Sequence, residues 1–116
     1  MRNKSIAFAF LALNASAMPA AAHASLDHSD PRVGNTVKSS PSAVTLWFTQ
    51  RLEPAFSSAQ VTNASGAVVS TGASVSGTVM RLGVRSLPPG TYRVHWKVLS
   101  VDTHTTEGNF TFRVGQ

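Results

Sequence analysis

Asp102 and His104 stand one residue apart, between two strongly alternating runs at 91–99 and 109–114. In extended backbone, side chains at i and i+2 point to the same side, with Cα atoms roughly 7 Å apart. A carboxylate and an imidazole so placed suit two ligands closing on one metal ion. Alone, such a triplet is weak evidence, because most are solvated loop residues, so further ligands must be found elsewhere. The chain has no cysteine, which excludes thiolate sites, including the Cys-rich structural zinc type. Donors are left to imidazole, carboxylate, thioether and backbone atoms.

The best further candidates lie at the other end of the chain. Arg2 and Lys4 precede an uncharged, mostly apolar run over 6–17, and Met18-Pro19-Ala20-Ala21-Ala22 follows as a small-residue stretch of the A-x-A type. This order of basic start, short apolar core and small residues predicts a cleaved secretory signal peptide over 1–22. The run is too short for a spanning helix, and no later segment reaches about 20 apolar residues. Cleavage after Ala22 leaves one domain, 23–116, of 94 residues, with His23 as its first residue.

An N-terminal histidine chelates well, because its α-amine and imidazole Nδ1 close one small ring on the same ion. The free amine has an ordinary pKa of about 7.7–8.0, so metal competes with only one modestly held proton near neutrality. With His104 and Asp102 this makes three nitrogens and one oxygen, a tetragonal set that points to Cu(II). The three-nitrogen arrangement is a histidine brace. The rival amino-terminal copper motif needs histidine at the third mature position, which is Ser25. Two readings of His23 stand open here: brace ligand, or frayed first residue with no role. Ala22-His23-Ala24 is itself a second A-x-A match, and cleavage after Ala24 would discard His23.

The elements that must position these residues are strands. Val44, Leu46 and Phe48 alternate with polar neighbours; so do Met80, Leu82 and Val84, then Tyr92, Val94, Trp96 and Val98, and finally Phe110, Phe112 and Val114. Segments 59–62 and 67–70 flank Asn63-Ala64-Ser65-Gly66 as a hairpin. Pro88-Pro89-Gly90 supplies a turn before Tyr92. Period-2 alternation with one polar face predicts antiparallel sheets packed face to face. Six or seven strands make an all-β, small Greek-key, immunoglobulin-like sandwich. Trp96, Phe48, Phe110 and Phe112 are expected at its centre, each contributing roughly 1.5–3 kcal/mol on burial. Tyr92 is either a corner tyrosine tied back to nearby backbone or a plain core aromatic.

Without residues 1–22 the chain carries eight Lys+Arg against five Asp+Glu. The cations are scattered and not interleaved with aromatics, which argues against nucleic acid. No nucleophile elbow and no paired carboxylates support hydrolysis. His95, between Val94 and Trp96 on the polar face, reads as a surface residue. His28 could approach the site with Asp27 beside it, and Thr103 and Thr105 could orient the ligands.

Six segments occur in order: His23-Ala24-Ser25-Leu26, Ser29-Asp30-Pro31, Val44-Thr-Leu-Trp-Phe-Thr49, Leu87-Pro-Pro-Gly-Thr-Tyr-Arg-Val-His-Trp96, Ser100-Val-Asp-Thr-His104 and Gly108-Asn-Phe-Thr-Phe112. Together they resemble the CopC-type periplasmic copper-binding domain over nearly the whole chain beyond the leader. The resemblance implies a small β-sandwich, with Cu(II) held by His23, Asp102 and His104. Two departures stand out. The region 62–79 has neither Met nor His, so the second, Cu(I) site of some relatives is not expected, and one Cu(II) ion is. Gln50 stands where the resemblance allows a glutamate near the metal; Gln50 can hydrogen-bond a bound water but adds no charge, and Glu53 reads as a solvated loop residue.

Three functions follow from these readings. The first is a monomeric, non-enzymatic periplasmic protein for copper resistance or homeostasis. It would sequester Cu(II) or pass it to a CopD-type inner-membrane copper protein, the partner the resemblance implies. The second is a histidine-brace copper oxidase or monooxygenase, for which the domain is short and a carboxylate in the copper plane is unfavourable. The third is an exported, metal-free Ig-like interaction module.

Overall fold

A computed structural model describes residues 24–115. The predicted leader 1–22 and its boundary lie outside the described residues. Among the described residues eight strands form two four-stranded sheets: β1 (Leu26–Asp30), β3 (Ala43–Phe48), β6 (Val79–Val84) and β5 (Ser70–Ser76) in that order, and β2 (Thr36–Val37), β8 (Thr105–Val114), β7 (Gly90–Leu99) and β4 (Ser58–Thr62). The expected sandwich is the observed fold.

The alternating residues build the core as their periodicity dictates. Val44, Leu46, Met80, Leu82, Val94, Val98 and Phe112 are fully buried, and Trp96, Phe48 and Phe110 are buried beside them. Phe48 meets Trp96 edge-on, with centroids 5.1 Å apart and planes at 77°, the geometry that aromatic quadrupoles favour. Tyr92 satisfies both of its readings. Its ring is buried against Phe112, and its hydroxyl donates to Pro88 O at 2.5 Å.

Gly108 faces Trp96 across β7 and β8. A Cβ there would lie 2.5 Å from Trp96 Cζ2, closer than packed atoms approach. Gly108→Ala is therefore expected to destabilise the domain by about 1–3 kcal/mol, read as a lower denaturant midpoint at unchanged slope.

Two features depart from the sequence expectations. The turn at Asn63–Gly66 exists, with Asn63 Oδ1 accepting from the N–H groups of Ser65 and Ala67 at 3.0 Å each. Beyond the Thr62–Val68 bridge, however, the chain leaves β4 and crosses to the other sheet as β5. The expected hairpin is thus present but short, with Val69 N–H donating to Val61 O at 2.8 Å, and Ser70–Ser76 continues beyond it as a strand of the other sheet. Its small polar residues line a sheet edge and need no apolar stripe. Finally, β2 pairs parallel to β8, a direction that alternation does not encode.

Candidate metal centre at the β7–β8 end

β7 and β8 are ten-residue strands paired along their whole length, so the loop between them sits on the stiffest ladder in the protein. Thr103 N–H donates to Ser100 O at 2.9 Å and Ser100 N–H to His104 O at 3.0 Å. Thr103 itself lies in the left-handed region at φ 75°. A tight turn followed by one left-handed residue is a standard three-residue hairpin loop, normally with glycine at the last position. A β-branched residue there costs about 1–2 kcal/mol. The backbone around Asp102 and His104 is therefore turned, not extended as the i, i+2 reading assumed. The two side chains still meet, with His104 Nδ1 3.4 Å from Asp102 Oδ1. Both are partly open to solvent, as exchangeable metal ligands must be.

Ser100 is the residue that sequence reasoning missed. It is fully buried, its hydroxyl donates to Asp102 Oδ1, and its Oγ also lies 3.2 Å from His104 O. That hydrogen bond, followed by the bond from and charge of His104, holds the Asp102 carboxyl below its usual 3.8 against the opposing effect of desolvation. A signal was available. Ser100 extends the inward register of Tyr92, Val94, Trp96 and Val98, and a hydroxyl at the end of an apolar stripe needs a partner.

The sign of the shift fixes a pH dependence. A lowered folded-state pKa favours the fold above the ordinary value, and that contribution disappears as pH falls through the lowered one. Ser100→Ala is expected to raise the Asp102 pKa toward 3.8, read by carboxyl NMR titration. It should also weaken metal binding about 10–100-fold through loss of orientation. An unmoved titration would reduce Ser100 to a packing residue.

Two chain segments grip this loop. On one side Val101 N–H donates to Arg51 O at 3.0 Å and Glu53 N–H to Leu99 O at 2.8 Å. Glu53 is thus half-buried and tied to β7, beyond the plain solvated role expected of it. On the other side Ala24 is fully buried, and its carbonyl accepts from Thr106 Oγ1 at 2.6 Å. Ser25 is zipped to Thr49 through Ser25 N–H to Thr49 Oγ1 at 3.0 Å and Thr49 N–H to Ser25 O at 2.9 Å. The N-terminal segment therefore bridges both sheets, two residues from His104 along β8. His23 lies outside the described residues.

Gln50 is half-buried between Thr49 and Arg51 at this same end. His28 stacks on Trp47, with centroids 4.3 Å apart and planes within 8°, and its Nδ1 pairs with Asp27 Oδ2 at 2.7 Å. It is engaged on the outer face of the β1–β3 sheet and does not join the pair. His95 points outward from β7, bonded to Asn109 Oδ1 at 3.0 Å and Glu107 Oε2 at 3.1 Å. Among the described residues no three His, Asp or Glu side chains converge as a metal set. The fold brings Asp102 and His104 together as a pair of candidate ligands.

A family model described as CopC domain matches residues 26–115. The chain belongs to the CopC family. Protein YobA of Escherichia coli K12 is 37% identical over 99 residues, spanning 80% of this chain and 79% of that protein. Among solved structures, CopC from Methylosinus trichosporium OB3b superposes with a TM-score of 0.77 at 33% identity, covering 80% of this chain and 94% of that one. PcoC, a methionine-rich copper resistance protein from Escherichia coli, gives 0.72 at 34% identity, covering 79% and 98%. This CopC-family chain contrasts with that methionine-rich relative: its only methionine beyond residue 18 is Met80, fully buried in the core.

Proposed function

We propose that this protein binds a single Cu(II) ion at the β7–β8 end of its sandwich, through Asp102, His104 and a His23 made N-terminal by removal of residues 1–22. On this reading it is a monomeric copper-resistance or copper-homeostasis protein of the periplasm. It does no covalent chemistry. It sequesters copper or delivers it to a CopD-type inner-membrane copper protein. No described helix is long and apolar enough to cross a membrane.

The observation that carries the reading is the anchoring of Ala24. Its carbonyl is held by Thr106, which fixes the start of the described chain beside the first residues of β8, next to His104. The donor set fits the ion as well. Imidazole nitrogens with one carboxylate oxygen suit tetragonal Cu(II), while a soft Cu(I) site would need thioethers, and Met80 is sealed in the core.

Intact mass of the exported protein together with EPR of the copper-loaded form tests this directly. A chain beginning at His23 that takes up one Cu(II) with nitrogen hyperfine structure is the expected result. A chain beginning at Ser25 would sink it.

A further inference from the structure

The strand register sorts the charged residues by end. All five carboxylates lie at or on the metal-centre side of the level where Asp30, Thr45 and Arg81 pair across their sheet: Asp27 and Asp30 on β1, Glu53 and Asp102 in end loops, and Glu107 early in β8. Among the described residues only Arg51, Arg81 and Lys97 share that half. The other half holds Arg32, Lys38, Arg85, Arg93 and Arg113 and no carboxylate side chain. The side-chain charge is thus about −2 at one end and +5 at the other, a separation hidden by the modest net value.

The basic end is uncompensated and exposed. All five of its cations are exposed, and among the described residues the ion pairs within 4.0 Å all involve histidine. The cations come from separate segments that meet at one end. Arg32 is in the turn that Gly34 N–H ties to Thr111 O, Lys38 follows β2, and Arg85 N–H donates to Val69 O. Arg113 donates to Thr91 Oγ1 at 2.6 Å. An open cleft of about 390 Å³ beside it is lined by Arg93 with the hydroxyl residues Thr62, Thr91 and Thr111. Val33, 60% exposed next to Arg32, and Val68, 50% exposed beside the Val69 that accepts from Arg85, stand on this side, while Phe56, 71% exposed, and Val101, 46% exposed, lie at the metal-centre end.

We propose that this end docks on an anionic phospholipid bilayer, with the Asp102–His104 loop held away from the surface. Cations spread over a whole end of a rigid body match a diffuse planar negative charge, where a folded acidic partner would call for a focused pocket. Exposed valines between the cations supply the shallow apolar contact that membrane-surface proteins combine with basic residues. The inference stands apart from the copper reading, because it uses none of the candidate ligands.

The test is flotation of the purified protein with phosphatidylcholine vesicles with and without about 30% phosphatidylglycerol, at low salt. Partitioning should be at least about tenfold stronger on the anionic vesicles and be lost near 0.5 M salt. Two double variants change net charge equally: Lys38→Glu with Arg85→Glu at the basic end, and Arg81→Glu with Lys97→Glu in the other half. At about fivefold per unit of charge, the first pair should weaken binding more than about 100-fold, and the second should leave most of it. Equal losses in both variants would make the effect one of net charge and overturn the proposal. So would wild-type binding that ignores phosphatidylglycerol, or no vesicle binding at all, which would leave an acidic protein as the partner of this end.

Discussion

His104→Ala is expected to lower Cu(II) affinity by at least about 100-fold, more than the 10–100-fold usual for residues that merely support ligands, while leaving the fold intact. His104 is exposed at the rim, and the bond that locks its backbone, from Ser100 N–H to His104 O, does not involve the side chain. Circular dichroism should therefore be unchanged while competition against a chelator shows the loss. Asp102→Asn tests the other half with a different signature, since it keeps the shape and removes the charge. The Ser100 hydroxyl and His104 hold the Asp102 carboxyl below its usual 3.8, so the carboxylate stays available as pH falls toward that value. An imidazole nitrogen binds metal only when unprotonated, so copper affinity at the proposed site is expected to fall on acidification through proton competition at its imidazole donors. A titration in which binding at pH 4 equals that at pH 7 would contradict an imidazole-based site.

Trp96→Ala should be the most damaging core substitution, at about 3–5 kcal/mol. Trp96 touches Phe48 of the opposite sheet edge-on and lies under the Cβ-less position Gly108 of β8. Its removal empties the junction of both sheets. The domain has no disulfide to fall back on, and domains of this size are stable by only about 5–15 kcal/mol in total. The thermal midpoint should fall by on the order of 20 °C. A conservative Trp96→Phe should recover part of that loss. If Trp96→Ala instead unfolds with a midpoint close to the parent's, the inter-sheet contact is not what holds the sandwich together.

The strands that carry the candidate site were the easiest to read, for a physical reason. β3, β7 and β8 bury large apolar side chains at every second position, so Phe48, Trp96 and Phe112 state both strand and face. β5 was not legible because Ser70–Ser76 forms a sheet edge from small polar residues, where no buried stripe is required. Asp102 and His104 were legible as a pair by residue type, but not the conformation joining them. Threonine at position 103 argues for extended backbone, and the hairpin overrides that preference at a local cost. Ala24 was unreadable in advance. An alanine beside a predicted cleavage point looks like leader composition, and only the hydrogen bond from Thr106, far away in sequence, gives it a structural role.

That hydrogen bond has a consequence for how tightly a metal could be held. A donor on a floppy tail must be searched for and then immobilised, and each ordered residue costs on the order of 1–2 kcal/mol of backbone entropy. On the proposed reading the tether is short, because Ala24 and Ser25 are already fixed by Thr106 and Thr49. The effective concentration of anything attached to Ala24, at the Asp102–His104 loop, is set by the fold before any ion arrives. Thr106→Ala would lengthen the leash without touching a ligand, and its effect would appear as a slower capture and faster loss of metal.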